Sequence, residues 1–300
     1  MKQKLLLYFV LSISCMAQGF SQQLKVTSRY EGRDVVFDAT FNGSGSYTLV
    51  LSFSELQGYK SLSGRKAIIN IAPPFSGNSI YKLTEIEGAR ASTYRYSYQY
   101  FQGKYNAKPD LDFPYLLPVK PGENVRTFWL ENIEATLGKS VTDKILGVTF
   151  SYTGVDTVYA IRSGQVVRVE NSTRDRIKPE AGTVYYDEPS RSHIEVEHKD
   201  GTIARYVCMT SGKSLLEEGD RIIAGQPLAV FTQKDDNQEI KVGIHLFRLG
   251  KKFEYEVIMP KYYTDRGLIG PEYGKEYVGA SAKEIVEKEL TKKEKKNLNL

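Results

Sequence analysis

Two cysteines, three histidines and one tryptophan are all that this chain of 300 residues carries of those types. So few cysteines exclude a disulfide-framed scaffold. The histidines, His193, His198 and His245, limit every proposal for imidazole-based metal binding or acid–base chemistry to those side chains. No apolar run reaches the roughly 20 residues needed to span a bilayer. A strong charge of one sign is also missing. Lys and Arg total 41 against 36 acids, a formal net charge of +5, too mild and too mixed to argue for nucleic acid. What is present is globular: 41% hydrophobic, 26% charged, and long enough for two ordinary domains without staples.

Residues 1–21 read as a secretory signal. Lys2 and Lys4 precede a short apolar run over 5–13, and small residues follow at Ala17, Gly19 and Ser21. Cleavage fits after Ser21 or after Ala17. An uncleaved anchor would need a longer run, and a lipoprotein through Cys15 would have Ser12 where the motif wants Leu. Cleavage takes away two lysines, no acid and Cys15, so Cys208 becomes the sole thiol and the charge becomes +3. The expected location is the periplasm or cell envelope, with no transmembrane segment in the mature chain. At the far end, Ser281 and Glu284 have capping-box spacing, Glu284/Lys288 and Glu289/Lys293 are i,i+4 pairs, and Val286 and Leu290 form a thin apolar stripe. That pattern reads as a solvated tail helix; a partner or envelope-surface contact is the other reading.

Between these ends the expected fold class is mostly β. Over 24–112 a β-sandwich-like domain is expected. DVVFDATF (34–41) and YTLVLSF (47–53) flank Asn42-Gly43-Ser44-Gly45 and read as a hairpin, and AIINI (67–71) ends at Pro73-Pro74. Tyr94, Tyr96, Tyr98 and Tyr100 fall on one strand face, as a packed aromatic ladder or, alternatively, as a platform for glycan or peptide. Pro109, Pro114, Pro118 and Pro121 mark a boundary. A short helical or irregular stretch is expected over 135–143. A second β region then runs from 144 to 260: 157–161 and 165–169 around Arg162-Ser163-Gly164, 192–198 and 202–207 around Lys199-Asp200-Gly201, two tight turns over 216–230, and a last strand over 241–249.

In order, VDTVYAIRSGQVVRV (155–169), HIEVEHKDGTIARYV (193–207), EEGDRIIAGQPLAV (217–230) and VGIHLFRL (242–249) resemble the β core of the M23 (LytM-like, lysostaphin-like) zinc peptidases. LPVKPG (117–122) is similar to a lead-in found in some members. The resemblance covers about 117–262, with 263–300 as an extension ending in the charged helix. It implies a peptidoglycan-directed fold. Zinc would be bound by the His and Asp of H-x-G-x-D and the second His of H-x-H, assisted by the His of Y-x-H and the first His of H-x-H. Three protein ligands would leave an open site for an activated water.

Aligned on that pattern, the chain departs from it at four of five positions. Ile145 and Thr149 flank the retained Gly147, Cys208 follows Tyr206-Val207, and Gly243 opens the last pair; only His245 remains. One imidazole does not make a zinc site. His193 and His198 belong to the hairpin. A Cys208/His245 nucleophile pair would lie on neighbouring strands but shows no third orienting group. Lys213 lacks the context of a lipoyl or biotinyl carrier lysine. The resulting expectation is a catalytically inactive M23-like envelope protein. No catalytic residue, metal or cofactor is expected. A groove lined by Thr149, Tyr206, Cys208, Gly243 and His245 would bind peptidoglycan stem peptide or a cell-wall hydrolase, and no nucleic acid. The alternatives are a divergent active zinc endopeptidase and a structural envelope protein acting through its N-terminal β domain.

Overall fold

A computed structural model of the chain describes residues 24–72, 75, 77–131, 144–170, 192–208, 212–231 and 239–297. The expected export signal with Cys15, the Pro73-Pro74 stop and the 135–143 stretch lie outside them. The described chain is mostly β and divides into two compact units, its residues up to 43 with 47–101, and 44–46 with those from 102 onward.

The first unit holds β1 (Leu24–Glu31), β2 (Asp34–Phe41), β3 (Tyr47–Gln57), β4 (Tyr59–Ser61), β5 (Lys66–Ile71), β6 (Tyr81–Glu85) and β7 (Thr93–Gln102). They form two sheets, ordered β1-β2-β6-β4 and β5-β3-β7. The expected β2–β3 hairpin is not formed. β2 pairs with β1 and β6, while β3 pairs with β5, so the Gly-rich link carries the chain from one sheet to the other. The reason is burial: Phe37 of β2 and Phe53 of β3 meet edge-on at 5.6 Å inside a shared core, which a flat hairpin would not allow. Tyr94, Tyr96, Tyr98 and Tyr100 alternate with exposed residues and pack half-buried on that core, Tyr96 at 5.0 Å from Phe37. The aromatic ladder is therefore packing.

The second unit comprises β8 (Pro114–Leu116), β9 (Asn124–Glu131), β10 (Ile145–Thr153), β11 (Thr157–Tyr159), β12 (Gly164–Glu170), β13 (His193–Glu197), β14 (Ile203–Cys208), β15 (Gly212–Ser214), β16 (Arg221–Ile222), β17 (Pro227–Phe231), β18 (Glu239–Leu249), β19 (Tyr255–Ile258), β20 (Lys261–Thr264), β21 (Gly267–Ile269) and β22 (Glu276–Val278). The large sheet runs β16-β12-β13-β14-β18-β10-β9-β22, with β19 on β18. The small sheets β11-β17-β15 and β21-β20-β8 share one core with it, built on Phe150, Tyr206, Ile244 and Tyr262. β11 and β12 do not form the expected hairpin. β11 pairs with β17 and β12 with β13 and β16, because Ala160 exchanges backbone bonds with Gln226 and Gly225 instead.

The turn glycines have specific reasons. A Cβ on Gly164 would stand 2.5 Å from the carbonyl oxygen of Glu197, so β12 can enter the sheet only as glycine. In the β13–β14 turn only Gly201 is left-handed, at φ +82°, not both central residues as an Asp-Gly type I′ turn requires. Asp200 is otherwise engaged: its Oδ1 accepts from the Thr202 amide and hydroxyl, and its Oδ2 from Arg162.

Arg162, in the link between β11 and β12, has a side chain only 3% exposed. Its guanidinium lies 3.6 Å from the Phe113 ring centroid and donates to Tyr115, Asp200 and both oxygens of Glu289. Burial opposes its charge, but Glu289, Tyr115 and Asp200 outweigh that and raise its pKa. Glu289 is the C-cap of the helix Lys283–Lys288, so the tail is anchored to the core. The expected Ser281–Glu284 capping box is absent: Ala282 is the N-cap and no side chain caps it. A reciprocal box forms later, where the Thr291 amide donates to Glu294 and the Glu294 amide to the Thr291 hydroxyl. Glu287, not Glu284, makes the i,i+4 pair, with Lys283.

Two stability outcomes follow. Glu289→Ala removes charge-assisted bonds to a buried guanidinium and is expected to cost about 1.5–3 kcal/mol in urea unfolding, whereas Glu284→Ala should change little. Tyr262 is fully buried and its hydroxyl finds no hydrogen-bond partner. Tyr262→Phe is therefore expected to stabilise by about 1 kcal/mol.

Candidate functional site

The strands that carry the resemblance lie side by side, and their registers align one row across the sheet. Phe128 stands opposite Thr149, Thr149 opposite Gly243, Gly243 opposite Val207, and Val207 opposite His193. Two residues along, His245 stands opposite Arg205, and Arg205 opposite Glu195. The period of two puts both rows on one face. Thr149, Gly243 and His245 are thus brought together.

Tyr206, another expected groove residue, is not on that face. Tyr206 falls between Arg205 and Val207, opposite Ile244 and Ile194, and is 1% exposed in the core. Its hydroxyl accepts from the Ile161 amide at 2.9 Å, and burial raises the phenol pKa. Cys208 stands opposite Val242, three positions from the Arg205–His245 pair. The two strands are neighbours, as expected for a thiol–imidazole pair, but the positions are not opposite one another. Ile145 stands opposite Glu131 across a register shift and is 38% exposed. Gly147 lets β18 approach, because a Cβ there would overlap the carbonyl oxygen of Ile244. Lys213 lies within β15 opposite Val230, not at a hairpin tip where a carrier lysine would sit.

Glu195 is the electrostatic centre of the second row and is fully buried. It accepts from Arg205 Nε at 2.7 Å and from Gln102 Nε2 at 2.6 Å. Burial opposes the carboxylate, but Arg205, Gln102 and Arg168 outweigh it and lower the pKa. His245 is held neutral: burial, helped by Arg205, brings its pKa down to about 4, and its Nε2 is buried without a partner. His198 lies apart from both rows. Its Nδ1 meets the Ser163 carbonyl at 3.0 Å, which assigns the proton to Nδ1 and leaves Nε2 as a buried acceptor without a donor. Burial, then Arg162, brings its pKa to about 3.

The donor set does not fit zinc. Isoleucine and glycine supply no ligand atom, a threonine hydroxyl is a poor one, and His245 alone cannot complete a tetrahedral shell. Among the described residues no group of His, Cys, Asp and Glu has an arrangement that could hold a metal. What the face offers is a small-residue strip, Thr149, Gly243 and Val207, between a charged row and the aromatic Phe128. The Glu195–Arg205 pair and the Arg162 network were not read from the sequence. The signal for Glu195 was there: HIEVEH alternation puts it on the same face as His193.

No protein-family profile matches the chain, and no curated protein matches it. Among solved structures, one match is Helicobacter pylori Csd3 from an orthorhombic crystal, 13% identical, with a TM-score of 0.30, covering 93% of this chain and 77% of that one. The likeness is distant. No helix among the described residues is long and apolar enough to cross a membrane.

The histidines give a pH prediction. Both keep folded pKa values below the ordinary 6.5, so the unfolded chain binds protons first as pH falls. Their stability contribution is complete above about pH 6.5 and is lost on acidification towards about 4 and 3, by up to about 1.4 kcal/mol per unit for each histidine. The urea midpoint is expected to fall between pH 7.5 and pH 5, and His198→Asn to flatten that dependence. An unchanged midpoint over that range would refute the burial of neutral imidazoles.

Proposed function

We propose that this chain is an inactive M23-like protein of the cell envelope that binds peptidoglycan stem peptide on the β10–β18–β14 face. The observation that supports this reading is the row Thr149–Gly243–Val207 beside His245. The strand that would carry H-x-H is present and in register, yet its first histidine position is glycine. With glycine in that place the strip carries only small side chains and too few donor atoms to hold a metal. Arg205, anchored by the buried Glu195 carboxylate at 2.7 Å and itself partly exposed, supplies a fixed positive charge beside it, which suits the carboxylate of a stem peptide. Engagement of a cell-wall hydrolase through the same face is the regulatory form of this proposal.

The test is metal content and binding on the purified mature chain. Zinc well below one per chain, with stem-peptide affinity unaffected by chelator, is the expected result. Gly243→Leu should weaken peptide binding at least about tenfold by filling the strip, with an unchanged near-UV spectrum as the folding control. Near one zinc per chain, with peptidoglycan cleavage abolished by chelator and by His245→Ala, would replace this reading with the divergent-enzyme alternative.

A further inference from the structure

Outside the rows so far described, several large apolar side chains are exposed, and one of them packs against a residue of the candidate face. Tyr273 is 62% exposed, and residues 272–276 around it are exposed as well. It is nevertheless held firmly. The Thr127 hydroxyl donates to the Glu272 carbonyl at 2.6 Å, the Thr127 amide to the Lys275 carbonyl at 2.9 Å, and the Gly274 amide to the Thr127 carbonyl at 2.7 Å. The Glu272 amide donates to the hydroxyl of buried Tyr277 at 3.1 Å. Gly274 takes φ +73° to close the turn. Four bonds thus fix a short loop whose apex residue gains almost no burial. The backbone that carries the exposed ring is thus ordered in advance, which lowers the cost of a binding contact.

The ring sits at the end of the candidate groove. Tyr273 meets Phe128 edge-on, with centroids 5.5 Å apart and planes at 83°. Phe128 is the residue opposite Thr149, so the pair continues the Thr149–Gly243 row towards the sheet edge. The Lys241 ammonium stands 5.9 Å from the Phe128 ring centroid. Arg126 and Glu276 form an exposed ion pair beside it, on β9 and β22.

We propose that Tyr273 and Phe128 form a stacking platform for a saccharide ring, with Lys241 favouring sugars that carry a carboxylate. A peptide side chain used as an anchor needs a desolvated pocket, and the exposed residues around Tyr273 provide none. A pyranose needs none. Its C–H face covers an aromatic ring while its hydroxyls stay in water or reach flanking charged groups such as Arg126 and Glu276. The inference deepens the peptidoglycan reading, on which it rests, by assigning the wall's glycan strand a contact separate from the stem-peptide face.

The experiment uses three probes in separate titrations against the mature chain: an N-acetylglucosamine oligosaccharide, a wall glycan fragment that carries lactyl carboxylates but no stem, and a free stem peptide. The carboxylate-bearing glycan is expected to bind more tightly than the neutral one. Tyr273→Ala should weaken both glycans about fivefold or more, Tyr273→Phe should stay within about twofold of the parent, and Lys241→Gln should abolish the preference between glycans. Stem-peptide affinity should be unchanged in all three variants. Peptide binding without any glycan binding would overturn the platform and leave the function proposed above standing. Glycan binding without peptide binding would do the reverse. A Tyr273→Ala variant that loses peptide and keeps glycan would make the ring a peptide contact and overturn the assignment.

Discussion

The Arg162 guanidinium is the constraint on which the second unit depends. A buried cation costs several kcal/mol in desolvation, so it persists only where anions and donors surround it. Here those partners come from four separate places: Tyr115 on β8, Asp200 in the β13–β14 turn, Glu289 at the end of the tail helix, and the face of Phe113. Each partner explains something nearby. Asp200 is pulled inward, and with it the hairpin turn takes a form that its Asp-Gly sequence does not favour. Glu289 is pulled inward, and a helix that reads as solvated becomes part of the wall of the core. Arg221 adds a second grip, on Glu294 at 3.0 Å.

The face that carries Thr149, Gly243 and His245 rests on a different principle. Antiparallel register is all-or-none, because a slip by one residue sends every side chain to the opposite face. The pairings Thr149–Gly243, Gly243–Val207 and Arg205–His245 therefore decide which residues can act together. They join threonine, glycine and histidine into one strip and send Tyr206 into the core. Charge on that face is not free to respond to solvent: Glu195 is ionised by its arginines, and His245 is neutral by burial. On this face Glu195 and His245 therefore each keep one charge state near neutral pH.

Strands and turn glycines were legible in the sequence because they are local. Alternation marked β13, β14 and β18, and Gly164, Gly201 and Gly225 stood where backbone geometry demands them. Strand partners were less legible. The β2–β3 and β11–β12 hairpins were expected from proximity, yet both links cross between sheets, since pairing is settled by which apolar faces must meet. Tyr206 was misplaced for a related reason: in Y-x-C the alternation is clear, but which parity faces the core depends on the register with β18. Arg162 was invisible because its partners lie 38, 47 and 127 residues away.

That last separation bears on synthesis. The β1–β2 hairpin closes across a tight turn, with Glu31 opposite Asp34, and the first unit pairs within its own short span. The second unit cannot close early: β8 waits for β20, β9 waits for β22, and Arg162 waits for Glu289. Contacts of such long range are slow to form. A growing chain therefore presents a finished first unit well before the second has its counter-ion. Until the tail emerges, the guanidinium of Arg162 lacks the carboxylate that meets it through two nitrogens in the folded chain.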